Sequence, residues 1–211
     1  MQGILHNLNV YIVPPILYLI IGVSLGVFSL VKGKRQYENV LFALICFGYS
    51  ILMPVFISHH IFKGDITLII KIERSVHFLF VYGPAILLLY IHSLVNKKSR
   101  IVEVGAFVFS FIISLFVFTD YYFYGLWEYK WGYIAKGGIA VDVFGLYSLG
   151  IIMYGIVLFI KKIKTDIDRY THLKIKYNMI AMISMCVLTV GNLPAINGVD
   201  LYPPGNFAFI S

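Results

Sequence analysis

Six long apolar runs separated by short polar stretches order this chain. Their approximate limits are Tyr11–Val31, Val40–His59, Ile72–Val95, Ile101–Tyr121, Ile139–Ile160 and Ile175–Ala195. Each is close to the roughly 20 residues an α-helix needs to cross a bilayer. The runs are apolar all round, without the alternating ten-residue segments of a membrane barrel, so strands are not expected. Pro14, Pro15, Pro54 and Pro84 fall inside the runs. Membrane helices tolerate such residues because neighbouring helices and waters satisfy the freed carbonyls.

After the sixth run comes a turn-rich stretch, Gly191 to Asn206, and then a further apolar run from Phe207 to Ser211. The expected fold is therefore an all-α membrane bundle. A single membrane-embedded domain over residues 1–211 would hold six helices and the start of a seventh at about Gly205.

Composition supports the membrane class. Apolar residues make up 60% of the chain and charged ones 13%, with a mean hydropathy of +0.86. Water-soluble domains carry about 25% charged residues. Cys46 and Cys186 lie inside apolar runs and read as small buried hydrophobes, not as a disulfide framework or metal pair. Residues 1–10 contain no Lys or Arg. They do not form the positive leading region of a cleavable signal peptide, so the first helix is expected to be retained.

Charge then orients the bundle. Lys32, Lys34 and Arg35 lie in the first connection, and Lys97, Lys98 and Arg100 in the third. Lys161, Lys162, Lys164, Arg169, Lys174 and Lys176 lie in the fifth, so twelve of the 17 basic residues share one face. Lys63, Lys71, Arg74, Lys130 and Lys136 lie on the other. The positive-inside rule assigns the richer face to the cytoplasm and the N-terminus to the outside. The net charge of +7 follows from this asymmetry. It needs no nucleic-acid partner, and these loops also attract anionic headgroups of the lipid bilayer.

Two stretches carry a family resemblance. One is Trp127-Glu128-Tyr129-Lys130-Trp131-Gly132-Tyr133, leading through Lys136-Gly137-Gly138 into helix five. The other is Asn192-Leu193-Pro194-Ala195, followed by Gly198-Val199-Asp200-Leu201-Tyr202-Pro203-Pro204-Gly205-Asn206. Together with the helix count, loop lengths and outside N-terminus, they resemble the N-terminal seven-helix membrane region of bacterial sensor histidine kinases. In that family the same region also precedes diguanylate cyclases and other output modules. The resemblance implies a sensory input module of a two-component type system in the bacterial cytoplasmic membrane. Its signal would pass through helix seven to an output domain outside these residues. It also implies a homodimer. Asn197 before Gly198 and the short seventh run depart from the family pattern.

Candidate binding residues cluster on the outer side. Glu73 and His77 are four apart on helix three and share a face, while Arg74 lies about 100° round. They read as an interhelical ion pair or as a ligand contact. Trp127, Trp131, Tyr129 and Tyr133 make an aromatic outer loop, either an interfacial belt or a pocket wall. Asp142 lies one turn into helix five, and Asp120 closes helix four. The candidate ligand site is Glu73, Arg74, His77, Trp131 and Asp142, for an unidentified small ligand. Pro194, Gly198, Pro203 and Gly205 form a candidate coupling turn, rigid because proline fixes φ and glycine permits positive φ. His59-His60 with His77 is a remote transition-metal option, and no metal or cofactor is assigned.

His92 and His172 have no sequence neighbours that suggest chemistry. No glycine-rich phosphate loop, H-E-x-x-H pair or G-x-S-x-G elbow is present, so the chain is not read as an enzyme. The alternatives to a sensor are a small transporter or channel subunit, for which no internal repeat is visible, and a non-signalling remnant of a truncated gene.

Overall fold

The computed structural model describes residues 10–33, 36–62, 65–165 and 168–210. Expectations that rest on residues 1–9, Lys34, Arg35, Lys63, Asp166 or Ser211 lie outside them, as do those on the His60 side chain.

A 3-10 turn, Val10–Ile12, leads into α1 (Val13–Lys32). The second run is two helices, α2 (Tyr37–Ser50) and α3 (Met53–Ile61), and the third is α4 (Ile66–Phe80) and α5 (Gly83–Leu94). Proline explains both breaks. Pro54 and Pro84 have no N–H to offer the carbonyls of Ser50 and Phe80, the last residues of α2 and α4. The chain resumes as helix at once, so each pair forms one interrupted membrane crossing. α4 begins at Ile66 rather than at the expected Ile72. Asp65 caps it by accepting the Leu68 N–H at 2.9 Å, and the charges of Lys71, Glu73 and Arg74 had masked its helical start in the hydropathy pattern.

The fourth run is α6 (Arg100–Phe116), 17 residues and about 25 Å long, and it ends before the expected Tyr121. Among the described residues five segments, α6 not among them, are long and apolar enough to cross a membrane: Val10–Lys32, Tyr37–His59, Ile66–Leu94, Ile139–Thr165 and Arg169–Ile196. The last two are α7 (Ile139–Thr165) and α8 (Arg169–Val190), the latter followed by the short α9 (Leu193–Ile196). At about Gly205, where a seventh helix is expected, Pro204–Ile210 form a 3-10 segment.

Strands, which the apolar pattern argues against, are nonetheless present. β1 (Phe123–Tyr129) and β2 (Gly132–Gly137) pair antiparallel with Trp127 opposite Ile134 and Tyr129 opposite Gly132. They lie in the aromatic connection between the fourth and fifth runs, outside the six runs. Aromatic residues favour a pleated surface, and Gly132 at φ 140° closes the turn in a conformation other residues rarely adopt. The amine of Lys136 sits 3.9 Å from the centre of the Trp127 ring, a cation–π contact that braces the ribbon.

Helix packing relies on small residues. A Cβ at Gly22 would lie 2.2 Å from Ser50 Oγ, and one at Gly26 would lie 2.5 Å from the Phe47 ring, so α1 presses directly onto α2. One apolar cluster, including Val81, Val117, Tyr122, Ala135 and Phe144, joins the ends of α4 and α6 and the start of α7 to the hairpin. Another, Leu87, Ile91, Leu94, Phe159, Ile175 and Met182, joins α5, α7 and α8 at the opposite end. Large apolar side chains such as Phe28, Phe111, Leu146 and Val187 point outward. Water would not tolerate so much exposed apolar surface, whereas lipid does. The protein is a multi-pass helical membrane protein.

Candidate functional site

Two charged groups midway along α4 are drawn into the protein by different partners. The Glu73 carboxylate turns inward and meets His59, at the end of α3, with Nε2 to Oε1 at 3.0 Å. Their side chains are 1% and 5% exposed, so the pair is sealed from solvent. On its other side the His59 ring lies 2.8 Å from the backbone carbonyl of Tyr133 in β2. A carbonyl can only accept, so Nδ1 carries the hydrogen and donates it. His59 thereby pins the hairpin to α3 and α4. The second oxygen, Glu73 Oε2, is buried and has no hydrogen-bond partner.

Arg74 points the other way. Its guanidinium donates to the Phe118 carbonyl at 3.0 Å, to Asp120 Oδ1 at 2.7 Å and to the Phe123 carbonyl at 2.6 Å. These bonds gather the backbone between α6 and β1 into a turn, which is why α6 stops at Phe116 and not at Tyr121. A planar five-donor fork suits three divergent oxygens better than a lysine would.

His77 is structural in its setting. Nδ1 bonds back to the Glu73 carbonyl at 3.0 Å, and the ring sits edge-on to Phe123 at 4.8 Å, with Phe80 and Tyr122 also against it. Asp142 is exposed on the first turn of α7 and does not join this group. Among the described residues no three His, Cys, Asp or Glu side chains converge as a metal set.

Trp131 belongs to a second focus. It is buried, stacks on Tyr129 with ring centres 4.9 Å apart, and meets the edge of Tyr202 at 5.7 Å. The hairpin holds the coupling turn directly. Trp127 Nε1 donates to the Ile196 carbonyl at 2.9 Å, and the Tyr129 hydroxyl to the Ala195 carbonyl at 2.8 Å. Gly198 has φ 92° and faces the Trp127 ring at 3.2 Å from a would-be Cβ, so no other residue fits without strain. Pro194 is the second residue of α9, and Pro203 is buried just before the C-terminal 3-10 segment. Gly205 donates its N–H to Asn192 Oδ1 at 2.7 Å, and a Cβ there would strike the same amide at 2.4 Å. The four turn residues thus share one structural unit with Trp131. Glu73 reaches that unit only through His59 and Tyr133.

Between these parts lies a narrow cleft lined by Tyr11, Phe56, His59, Trp131, Tyr202 and Asn206, among others. Its free interior is ≈ 10 Å³, room for about one water. Tyr202 crosses its mouth, donating to the Tyr11 carbonyl at 2.9 Å, and burial pushes its phenol up from the ordinary range, so it stays a donor.

The sequence reading missed the His59–Glu73 contact, the hairpin clasp and the roles of Tyr202 and Asn206. The first had a signal. His59 and Glu73 close and open consecutive crossings on the same side, which brings them to one level.

Compared with known proteins, the chain matches no family model, no curated protein and no solved structure.

Proposed function

We propose that this chain is a membrane sensory input module, with six helices crossing, the N-terminus and hairpin outside, and a signal relayed through the segment after Pro203 to a cytoplasmic output domain. The six-helix topology counts α6 as a crossing and rests on the charge asymmetry of the connections. The sensing role rests on the resemblance to sensor kinase membrane regions.

One structural observation supports it most. The outer hairpin grips the carbonyls of Ala195 and Ile196, in the turn that leads to the C-terminal segment. A change in the hairpin's position therefore moves the start of the helix that would carry the signal. A ligand can shift such a two-state equilibrium only by its differential affinity for the two states.

The test needs no ligand. Joined through a continuous helix to a cytoplasmic kinase reporter, the Trp127→Phe chain keeps the ring and loses the bond to Ile196. The expected result is a change in basal output of threefold or more at equal membrane abundance. Unchanged output would remove the relay. Solute flux through the purified chain in liposomes would instead favour a transporter.

A further inference from the structure

The cleft between the hairpin turn and the C-terminal segment holds two buried polar atoms without partners. One is the indole N–H of Trp131, and the other is the side-chain carbonyl of Asn206. Trp131 is 6% exposed and Asn206 2%. Both side chains line the same cleft.

The orientation of the Asn206 amide follows from its neighbour. The Tyr202 hydroxyl already gives its hydrogen to the Tyr11 carbonyl, so towards Asn206 it can only accept. Nδ2 therefore faces Tyr202, at 3.1 Å, and Oδ1 is the free acceptor. The indole nitrogen is a donor only. The cleft thus presents one unmet donor and one unmet acceptor, and buried polar groups are seldom left so.

We infer that this cleft is a binding site for an uncharged hydroxyl or primary carboxamide group, which accepts from Trp131 Nε1 and donates to Asn206 Oδ1. Several observations restrict the class. His59 is the lining residue able to carry charge, and it is already engaged by Glu73. A charged ligand group would be buried without a counter-charge, at large cost. The free interior holds about one water, the size of a single hydroxyl, so a carboxamide end would have to project in from the open side of the cleft. Rings of Tyr11, Phe56, Trp131 and Tyr202 supply apolar contact for the remainder of the molecule.

The two orphan atoms sit on opposite sides of the proposed relay: Trp131 in the hairpin turn, Asn206 in the C-terminal segment. A group bridging them would clamp one to the other. That consequence rests on the sensing reading, whereas binding itself does not. The group could belong to a free solute or to a lipid headgroup, since the cleft lies at the outer ends of the helices.

The experiment follows the indole ¹⁵N–¹H resonances of the whole chain in phosphatidylcholine nanodiscs, with Trp131 assigned by Trp131→Phe. Acetamide, which donates and accepts, should shift the Trp131 resonance saturably in the millimolar range. N,N-dimethylacetamide, which only accepts, should bind at least about tenfold more weakly, because it leaves the Asn206 carbonyl unmet. Asn206→Leu should abolish the preference. An unshifted Trp127 indole resonance in Asn206→Leu, reporting the intact bond to the Ile196 carbonyl, guards against a folding artefact. A shift that appears on replacing part of the lipid with phosphatidylglycerol, and that Asn206→Leu abolishes, assigns a headgroup hydroxyl as the source. If no probe or lipid moves the Trp131 resonance saturably, the cleft holds water only and the inference fails. If Asn206→Leu leaves the preference intact, it fails equally. Binding with no change of reporter output would retain the site and discard the sensing reading.

Discussion

A histidine and a glutamate meet at each end of the α4–α5 crossing, in opposite circumstances. At the hairpin end His59 and Glu73 are sealed, with side chains 1% and 5% exposed. At the opposite end His92 is buried on α5, but its partner Glu103, on α6, is 21% exposed. The second contact is closer, Nδ1 to Oε1 at 2.6 Å, and is shared with others. Tyr154 approaches His92 Nε2 at 3.4 Å, and Lys97 donates to the Tyr154 hydroxyl at 2.8 Å. Water thus reaches the Glu103 side of this pair, whereas both members of the His59–Glu73 pair are covered. The same two residue types should therefore matter very differently: an unpaired charge is expensive where it is dry and cheap where it is wet.

The largest effect is expected from breaking the sealed pair on one side. Glu73→Ala leaves His59 facing an empty, buried space, and such half-removals cost about 3–5 kcal/mol. Denaturant unfolding of the detergent-solubilised chain should show it. Replacing both partners, His59→Leu with Glu73→Leu, should recover most of the loss, because two matched apolar groups avoid the desolvation that the pair endures. Equal losses in the single and double variants would mean that the pair is not the source.

Arg74 comes next. It fastens α4 to the backbone at Phe118 and Phe123, and its side chain is 19% exposed. Arg74→Ala should cost about 2 kcal/mol, less than three charged hydrogen bonds would give when fully dry. Arg74→Lys should restore only part, because an ammonium is a point charge and cannot span three divergent oxygens. Complete rescue by lysine would show that charge alone is at work.

At the end away from the hairpin, Glu103→Gln keeps the shape and removes the charge. A loss of about 1 kcal/mol or less is expected, within the range of exposed ion pairs. A loss as large as that of Glu73→Ala would abolish the distinction between the two ends.

The same contrast explains what the sequence could and could not tell. Hydropathy marks what lipid touches, so five crossings were legible in place, though their ends differ from the expected runs where charges interrupt the apolar pattern, as at Ile66 and Arg169. It says nothing about what lies inside. Glu73 and Arg74 are adjacent, yet one closes on His59 and the other on Asp120, because successive helical residues diverge by about 100°. Asp142 shares their level but faces outward. The hairpin escaped notice because its signal is short-range pairing between Trp127 and Ile134 and a glycine-permitted turn, not a run of apolar residues. His92 looked inert because Glu103 and Tyr154 reach it from other helices.

The smallest effect concerns Asp168, fully at the surface on the basic face. Its carboxylate caps α8 by accepting the Thr171 N–H at 2.8 Å and the Thr171 hydroxyl at 2.7 Å. Those bonds favour the ionised form and hold the carboxyl below its ordinary value. A group whose folded-state pKa is depressed contributes fully above its unfolded pKa, about 3.9 for aspartate, and loses the contribution as pH falls through the folded value. Hydrogen-exchange protection of the amides at Thr171 and His172, corrected for intrinsic rates, should therefore be flat from neutral pH down to about 5 and fall in acid. Asp168→Ala should lower it a few-fold at neutral pH and flatten the acid limb.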